Sequence, residues 1–307
     1  MSEFENFEYR VFSITTKTHN TAYPAISPSR PDLSQAGRTV LITGGTGGIG
    51  YATAQSFSLA GAEKVIIVGR DEAKTKAAVL KLTEEAGSQS RTNFEGRVCQ
   101  LSSPDSIESL WDVLAKDGIH VDVLVLNAAA TGSSSAGMMW NLGWKHVWGS
   151  FEINVRSTHH FAERFWKQPA SAEGKKKYLI NVSTSAIHDW QAGSYIPAYG
   201  LTKNSGTLLF QQLARETPVA EMQIVSLHPG AVLSPGAREA GFDETSIAWD
   251  DVDLSASAAV WAASDEAAFL HGRFIWSAWD VEELKDGELR KRIEDDDKFL
   301  RIGVHGL

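Results

Sequence analysis

Residues 43–50 read TGGTGGIG, set between the β-branched run TVLIT (39–43) and a helical pattern over Ile49–Leu59. No other stretch restricts the possible folds as much. Glycine is needed where a backbone turns tightly and then approaches a pyrophosphate closer than a Cβ permits, with the phosphate resting on the amides of a helix N-terminus. A glycine run alone would equally suit a flexible turn. Its position between the first strand and the first helix favours a dinucleotide site.

The segments that follow repeat the strand–helix alternation. VIIVG (65–69) reads as a strand and Glu72–Ala86 as an amphipathic helix. A strand is expected at Arg97–Gln100, a helix at Pro104–Ala115, and further strands at VDVLVL (121–126), YLINV (178–182), QIVSL (223–227) and RFIWS (273–277). Unbroken apolar strands alternating with helices require a sheet covered on both faces, which means parallel strands and right-handed crossovers. The expectation is an α/β, Rossmann-like, doubly wound parallel sheet, with ligands at the carboxyl ends of its strands. Residues 38–280 would form this one domain. Residues 1–37 would be an N-terminal extension, packed over the domain or partly loose, with the prolines of YPAISPSRP (23–31) holding an extended path. Residues 281–307 would form a C-terminal tail.

A formal net charge of −9 leaves no basic stripe for a phosphate backbone, so nucleic acid is not an expected partner. No apolar run approaches the roughly 20 residues of a membrane helix, and the acidic start MSEFENFEYR is no signal peptide. The single cysteine, Cys99, excludes an internal disulfide and a thiolate cluster. A soluble, cytoplasmic chain without a metal follows, because His159-His160 has no supporting ligand pattern. The runs KKK (175–177) and DDD (295–297) read as solvated surface.

Arg70 stands twenty positions after Gly50, at the end of the second strand. An acidic residue there would bind the ribose hydroxyls of NAD, whereas an arginine accepts a 2′-phosphate, so NADP(H) is expected over NAD(H). AYGLTK places Tyr199 and Lys203 four apart, on one helical face. An adjacent ammonium would lower the phenol's pKa toward a useful range. Upstream, NVSTSA (181–186) crowds Ser183, Thr184 and Ser185 directly after a strand, where they either do chemistry or merely satisfy turn amides.

In the order and spacing of these pieces, residues 38–280 closely resemble the classical short-chain dehydrogenase/reductase family. The pieces are TGGTGGIG, LNAAA (126–130), FEINV (151–155), STSA, YGLTK and HPGAV (228–232). The resemblance implies Tyr199 as general acid/base and Lys203 as ribose ligand and modulator of the tyrosine. It implies Asn154 as holder of a relay water, and one of the three hydroxyls as hydrogen-bond donor to the substrate oxygen. The strand alignment favours Thr184, with Ser183 and Ser185 as alternatives. The cofactor would lie along Gly44, Thr46, Gly48, Ile49, Gly50, Arg70, Leu101, Asn127, Ala128, Pro229, Gly230, Val232 and Ser234. The chain departs from the family at Gln100, where an aspartate usually faces the adenine, and at Ala129, where a glycine is usual. Relatives associate through the helices carrying the asparagine and the tyrosine, which implies a homodimer or homotetramer.

The substrate loops would be residues 132–148, residues 188–195 and residues 234–256, the last acting as a lid. Trp144, His188, Trp190 and Tyr195 are the candidate contacts, and aromatic residues in these loops suggest an apolar substrate. Trp140, Trp144 and Trp148, four apart, would more simply be a buried helix face or a subunit contact. The extension and FIWSAWDVEELK (274–285) are similar to fungal short-chain reductases of secondary metabolism. This implies a ketone or alcohol of a polycyclic or aromatic natural product as substrate. Dehydration, isomerisation or cyclisation on the same fold, or cofactor binding without catalysis, are the alternatives.

Overall fold

The computed structural model describes residues 12–130, 137–169, 175–239 and 241–304. The strands are β1 (Thr39–Thr43), β2 (Lys64–Gly69), β3 (Asn93–Val98), β4 (Val123–Leu126), β5 (Lys177–Val182), β6 (Met222–His228) and β7 (Arg273–Trp276). All pair in parallel, in the order β3-β2-β1-β4-β5-β6-β7. Direction of winding reverses between β1 and β4, and a crevice for a ligand opens at such a point.

The apolar runs are continuous because alternate residues serve opposite cores. Val40, Ile42, Val65, Ile67, Val123 and Val125 face α1 (Gly48–Leu59) and α10 (Val252–Ala262), through Ala54, Phe57, Leu254 and Trp261. Leu41, Ile66, Val68, Leu124 and Leu179 face the other side. There they meet Ile107 and Trp111 of α3 (Pro104–Lys116), Phe161 and Phe165 of α6 (Ser157–Trp166), and Phe210 of α8 (Pro197–Glu216). The remaining helices are α2 (Glu72–Ala86), α4 (Met139–Leu142), α5 (Trp144–Phe151), α7 (Trp190–Tyr195), α9 (Pro235–Glu239), α11 (Val281–Lys285) and α12 (Gly287–Asp295).

Several expectations are corrected. The third strand starts at Asn93 rather than Arg97, because it is an edge strand whose residues alternate between burial and exposure and so lack an apolar run. Pro24 and Pro31 do not hold an extended path. Each opens a short 3-10 turn, where a fixed φ and a missing N–H are compatible with the first position. Ile26 and Leu33 in these turns are fully buried in the α1/α10 core. Lys177 of the KKK run is not on the surface. It begins β5 buried, and its Nζ donates to the carbonyls of Phe165 (3.0 Å) and Trp166 (2.9 Å), capping α6. Residues 252–256 of the expected lid belong to α10, where Leu254, Ser255 and Ala256 are buried. Tail residues Val281, Leu284 and Ile293 share the core, and the Arg273 guanidinium holds the carbonyls of Ile293, Asp296 and Asp297. Residues 1–11 of the extension, 132–136 of the first substrate loop and 305–307 of the tail lie outside the described residues.

Candidate active site

A cleft of about 610 Å3 runs along the carboxyl ends of β1, β2, β4 and β5. Gly44, Thr46, Gly47, Gly48 and Ile49 form its first wall. Gly44 has φ +69°, and a Cβ there would also stand 3.0 Å from Asn127 Nδ2. At Gly50 a Cβ would lie 2.3 Å from the Gly44 carbonyl oxygen, so this glycine lets α1 seat against the turn and is not itself on the cleft wall. α1 opens at Gly47 with no side chain capping its amides. Uncapped amides with the positive end of the helix dipole behind them suit an anion.

Asn127 works from behind the turn. Its Nδ2 donates to the carbonyls of Thr43 (3.0 Å) and Gly44 (3.2 Å), and its own N–H donates to Thr43 Oγ1 at 3.0 Å. Ala128, Ala129 and Ala130 continue the wall, and Arg70, Cys99, Gln100, Leu101 and Ser102 line the end beyond β2. Arg70 is exposed and lines the same cleft as the glycine turn.

The far end is formed by Val182, Ser183, Tyr199 and Lys203. Tyr199 and Lys203 occupy the first two turns of α8, which Pro197 starts. Burial pushes the Tyr199 phenol up to about 12, and the hydroxyl of Thr184, hydrogen-bonded to it, pulls the other way. Burial also lowers the Lys203 ammonium to about 8, and its Nζ donates to the Val182 carbonyl. The expected lowering of the tyrosine by the lysine is therefore not what this structure has. Desolvation dominates at both groups, and the lysine's hydrogen bond goes to the strand.

The three neighbouring hydroxyl residues have separate destinations. Ser183 Oγ lies 2.6 Å from Thr207 Oγ1 on α8, and Thr207 in turn donates to the Lys203 carbonyl at 2.8 Å. Thr184 faces Tyr199, and its Oγ1 accepts from the Ala186 N–H at 3.3 Å. The Ser185 N–H donates to His228 Nδ1 at 3.1 Å. Burial holds His228 down to about 3, so it is a neutral acceptor.

Asn154 sits in a π-helical turn, Glu152–Arg156, that joins α5 to α6. Its side chain is a clamp. Oδ1 accepts from the Ala130 N–H at 2.7 Å, and Nδ2 donates to the Ala130 carbonyl (3.2 Å) and to Thr202 Oγ1 (2.9 Å). This ties the β4 loop to the helix of Tyr199. Thr202 lies inside the YGLTK motif and was missed as a partner, because nothing in that spacing shows it facing Asn154.

After β6, Pro229 and Ser234 reach the cleft, joined by Pro235, Gly236 and Glu239 of α9, which motif matching did not find. Gly230 has φ +90°, and Asp250 closes the loop by accepting from the Ala231 N–H and donating its own N–H to the Ala231 carbonyl, both at 2.7 Å. Gly230 and Val232 stand in this segment away from the cleft lining.

Among the substrate candidates, Trp144 and Trp190 are 74% and 80% exposed. Trp140 and Trp148 are exposed too, so the four-residue spacing marks an open face and not a buried one. Tyr195 is half-buried. His188 is not on the cleft. Its ring packs against Phe274 and Trp276, each 5.6 Å away, and its Nε2 accepts from Trp276 Nε1.

Residues 38–245 match the family model for short chain dehydrogenase. A short chain dehydrogenase/reductase of Claviceps purpurea is 35% identical, the match covering 94% of each chain. The short chain dehydrogenase/reductase AacuD of Aspergillus aculeatus is 31% identical over 99% of each. Among solved structures, the RhlG/NADP active-site complex of Pseudomonas aeruginosa superposes with a TM-score of 0.69 at 25% identity, covering 80% of this chain and 97% of that one. Among the described residues, no helix is long and apolar enough to cross a membrane.

Proposed function

The chain belongs to the short-chain dehydrogenase family of oxidoreductases, and from that premise we propose that it is NADP(H)-dependent and interconverts a ketone and a secondary alcohol on an apolar, aromatic or polycyclic natural product. The Thr184–Tyr199 hydrogen bond, at the end of a cleft that begins on the glycine turn, carries this reading. The cleft suits the dinucleotide because Gly44 and Gly50 leave no room for a Cβ where the turn seats against Asn127, which keeps the turn tight, and α1 starts uncapped beside it. When bound, NADPH supplies hydride to the carbonyl carbon.

Gly44, Thr46, Gly48 and Ile49 would hold its pyrophosphate, Arg70 the 2′-phosphate, and Leu101 and Ala128 the adenosine. Pro229 and Ser234 would border the nicotinamide, on a segment whose path Gly230 and Val232 complete behind the lining. Tyr199, protonated at neutral pH because burial disfavours phenolate, gives its proton to the oxygen that turns from carbonyl to alcohol. Thr184, whose hydroxyl is hydrogen-bonded to Tyr199 and whose Oγ1 accepts from Ala186, would turn its O–H to that same oxygen as charge develops. Lys203 supplies positive charge one turn on, and Asn154 holds the β4 loop against α8. Trp144, Trp190 and Tyr195 give an apolar substrate its approach. Leu201 and Leu208, exposed on one face of α8, fit burial against a second copy.

The test measures NADPH and NADH binding by tryptophan fluorescence, and oxidation of NADPH with acenaphthenequinone as a probe ketone. Arg70→Asp should weaken NADPH roughly 10- to 100-fold and leave NADH little changed. Tyr199→Phe should lose about 10²- to 10⁴-fold in kcat. Product formed without NADPH oxidation, or a fully active Tyr199→Phe, would overturn the reading. The first result would point instead to a dehydration, isomerisation or cyclisation on the same fold.

A further inference from the structure

Four rings stand in series behind the segment that carries Thr184. Phe12 meets His188 edge-on at 5.6 Å and Trp276 at 6.0 Å. Trp276 donates its indole N–H to His188 Nε2 at 3.1 Å and lies edge-to-face with His228 at 4.4 Å. His228 accepts the Ser185 N–H. The series therefore begins in the N-terminal segment and ends on the peptide that joins Thr184 to Ser185.

Each end is anchored. The Phe12 carbonyl accepts from Trp279 Nε1 at 2.7 Å, the His19 N–H donates to the Ala278 carbonyl at 2.8 Å, and Thr16 is held by the carboxylate of Glu283. Further along, the Asn20 carbonyl accepts from the Asp251 N–H at 2.8 Å, beside the Asp250 pairing that closes the loop after β6. His228 is the last residue of β6, next to Pro229, so its bond to Ser185 ties the loop after β5 to the loop after β6. Thr184 is extended (φ −161°, ψ 154°) and opens the 3-10 turn Ser185–Ile187. Its other bonds, from the Ala186 N–H to Oγ1 and from the Ile187 N–H to its carbonyl, lie within the same turn and move with it, so a tilt of this turn would carry Oγ1 away from Tyr199.

We propose that His228 is a positioning residue that sets the Thr184 hydroxyl against Tyr199, and that Phe12 of the N-terminal segment holds His228 in place through His188 and Trp276. This rests on the proposed reading of Thr184 and Tyr199 as the working pair. The N-terminal segment is then a brace for the active site, attached at the back of the hydroxyl segment and at the base of the loop after β6. The bond requires an acceptor at the Nδ1 position. His228→Asn keeps one there, whereas His228→Leu leaves the Ser185 N–H buried without a partner.

Two readouts test the proposal in the full-length chain. The first is kcat with NADPH and acenaphthenequinone, alongside the Kd for NADPH. The second is hydrogen–deuterium exchange of the peptide spanning residues 181–189. His228→Leu should lower kcat roughly 10- to 100-fold, the scale of a small misplacement, with NADPH affinity held within about twofold and exchange accelerated. His228→Asn should recover most of kcat and the slow exchange, which a general loss of packing would not allow. Phe12→Ala, at a half-exposed ring that touches no substrate, should produce the same pattern more weakly, about threefold or more in kcat. A His228→Asn variant as impaired as His228→Leu, or unaltered exchange in both His228→Leu and Phe12→Ala, would overturn the brace. If His228→Leu fails to fold, Phe12→Ala decides by the same two readouts. Should the wild type oxidise no NADPH with any ketone, the reductase reading fails, while the exchange data still decide the brace.

Discussion

Replacing Lys203 by methionine should stabilise the protein at neutral pH while abolishing its turnover. Burial lowers the ammonium from its ordinary 10.5 to about 8. At about 1.4 kcal/mol per pH unit, that corresponds to roughly 3 kcal/mol by which the charged form disfavours the folded state. Methionine removes this penalty and also the hydrogen bond to the Val182 carbonyl, which contributes about 1 kcal/mol. A net gain of roughly 1–2 kcal/mol remains, or about 2–4 °C in Tm for a domain of this size. The sign with pH follows from proton binding. Between about 8 and 10.5 the unfolded lysine holds a proton that the folded one has released, so wild-type stability rises across that window. Near pH 9.5 the penalty has fallen to about 1 kcal/mol, and the advantage of the variant should vanish. Tyr199 acts in the opposite sense and at higher pH, between 10.0 and about 12, where its raised phenol loses stability for the fold. Thermal melts of both proteins at neutral pH and near pH 9.5 measure the effect. A methionine variant that melts well below wild type at neutral pH, by an amount independent of pH, would refute the desolvation argument. The exchange of stability for function is common where a buried charge serves chemistry.

Two further outcomes are expected. Thr184→Ala and Thr184→Val should each lower kcat by about 10²-fold or more and Thr184→Ser far less, while Ser183→Ala should mainly cost about 1 kcal/mol in a melt through its Thr207 partner; a larger kcat loss at Ser183 than at Thr184 would move the role. Gly50→Ala forces a methyl to 2.3 Å from the Gly44 carbonyl oxygen and 2.6 Å from Asn127 Nδ2, so it should cost roughly 1–3 kcal/mol in stability and weaken NADPH binding in a fluorescence titration, and unchanged values in both would show that the turn is not seated as described.

Much of the frame was legible from local pattern. The runs TVLIT, VIIVG, YLINV and QIVSL became β1, β2, β5 and β6 within a residue or so, because a strand buried on both faces reads as a near-continuous apolar run. The same rule explains the misplaced start of β3. Its burial alternates, and of the two apolar side chains in NFEGRV, Phe94 and Val98, only Phe94 is buried. The Lys177 cap and the buried turns at Pro24 and Pro31 were hidden for a related reason. Each depends on a neighbour distant in the chain, the end of α6 for the lysine and the α1/α10 core for Ile26 and Leu33.

At the candidate site the sequence went as far as spacing can reach. A spacing of four from Tyr199 to Lys203 puts both on one helical face, and glycines at residues 44–50 put a tight turn before α1. Composition and spacing could not rank Ser183, Thr184 and Ser185, which are equivalent as letters. Their separation comes from the packed neighbours: Ser183 meets Thr207 and Thr184 meets Tyr199 at different turns of α8, while the Ser185 N–H is taken by His228 of β6. The directions of the Tyr199 and Lys203 shifts were likewise beyond the motif. A lysine one turn away predicts attraction, but burial by segments from elsewhere in the chain is what raises the phenol and lowers the ammonium. Chemical type and spacing are local properties written along the chain. Orientation and solvent exclusion belong to the packed whole, and they choose which of these groups can act together.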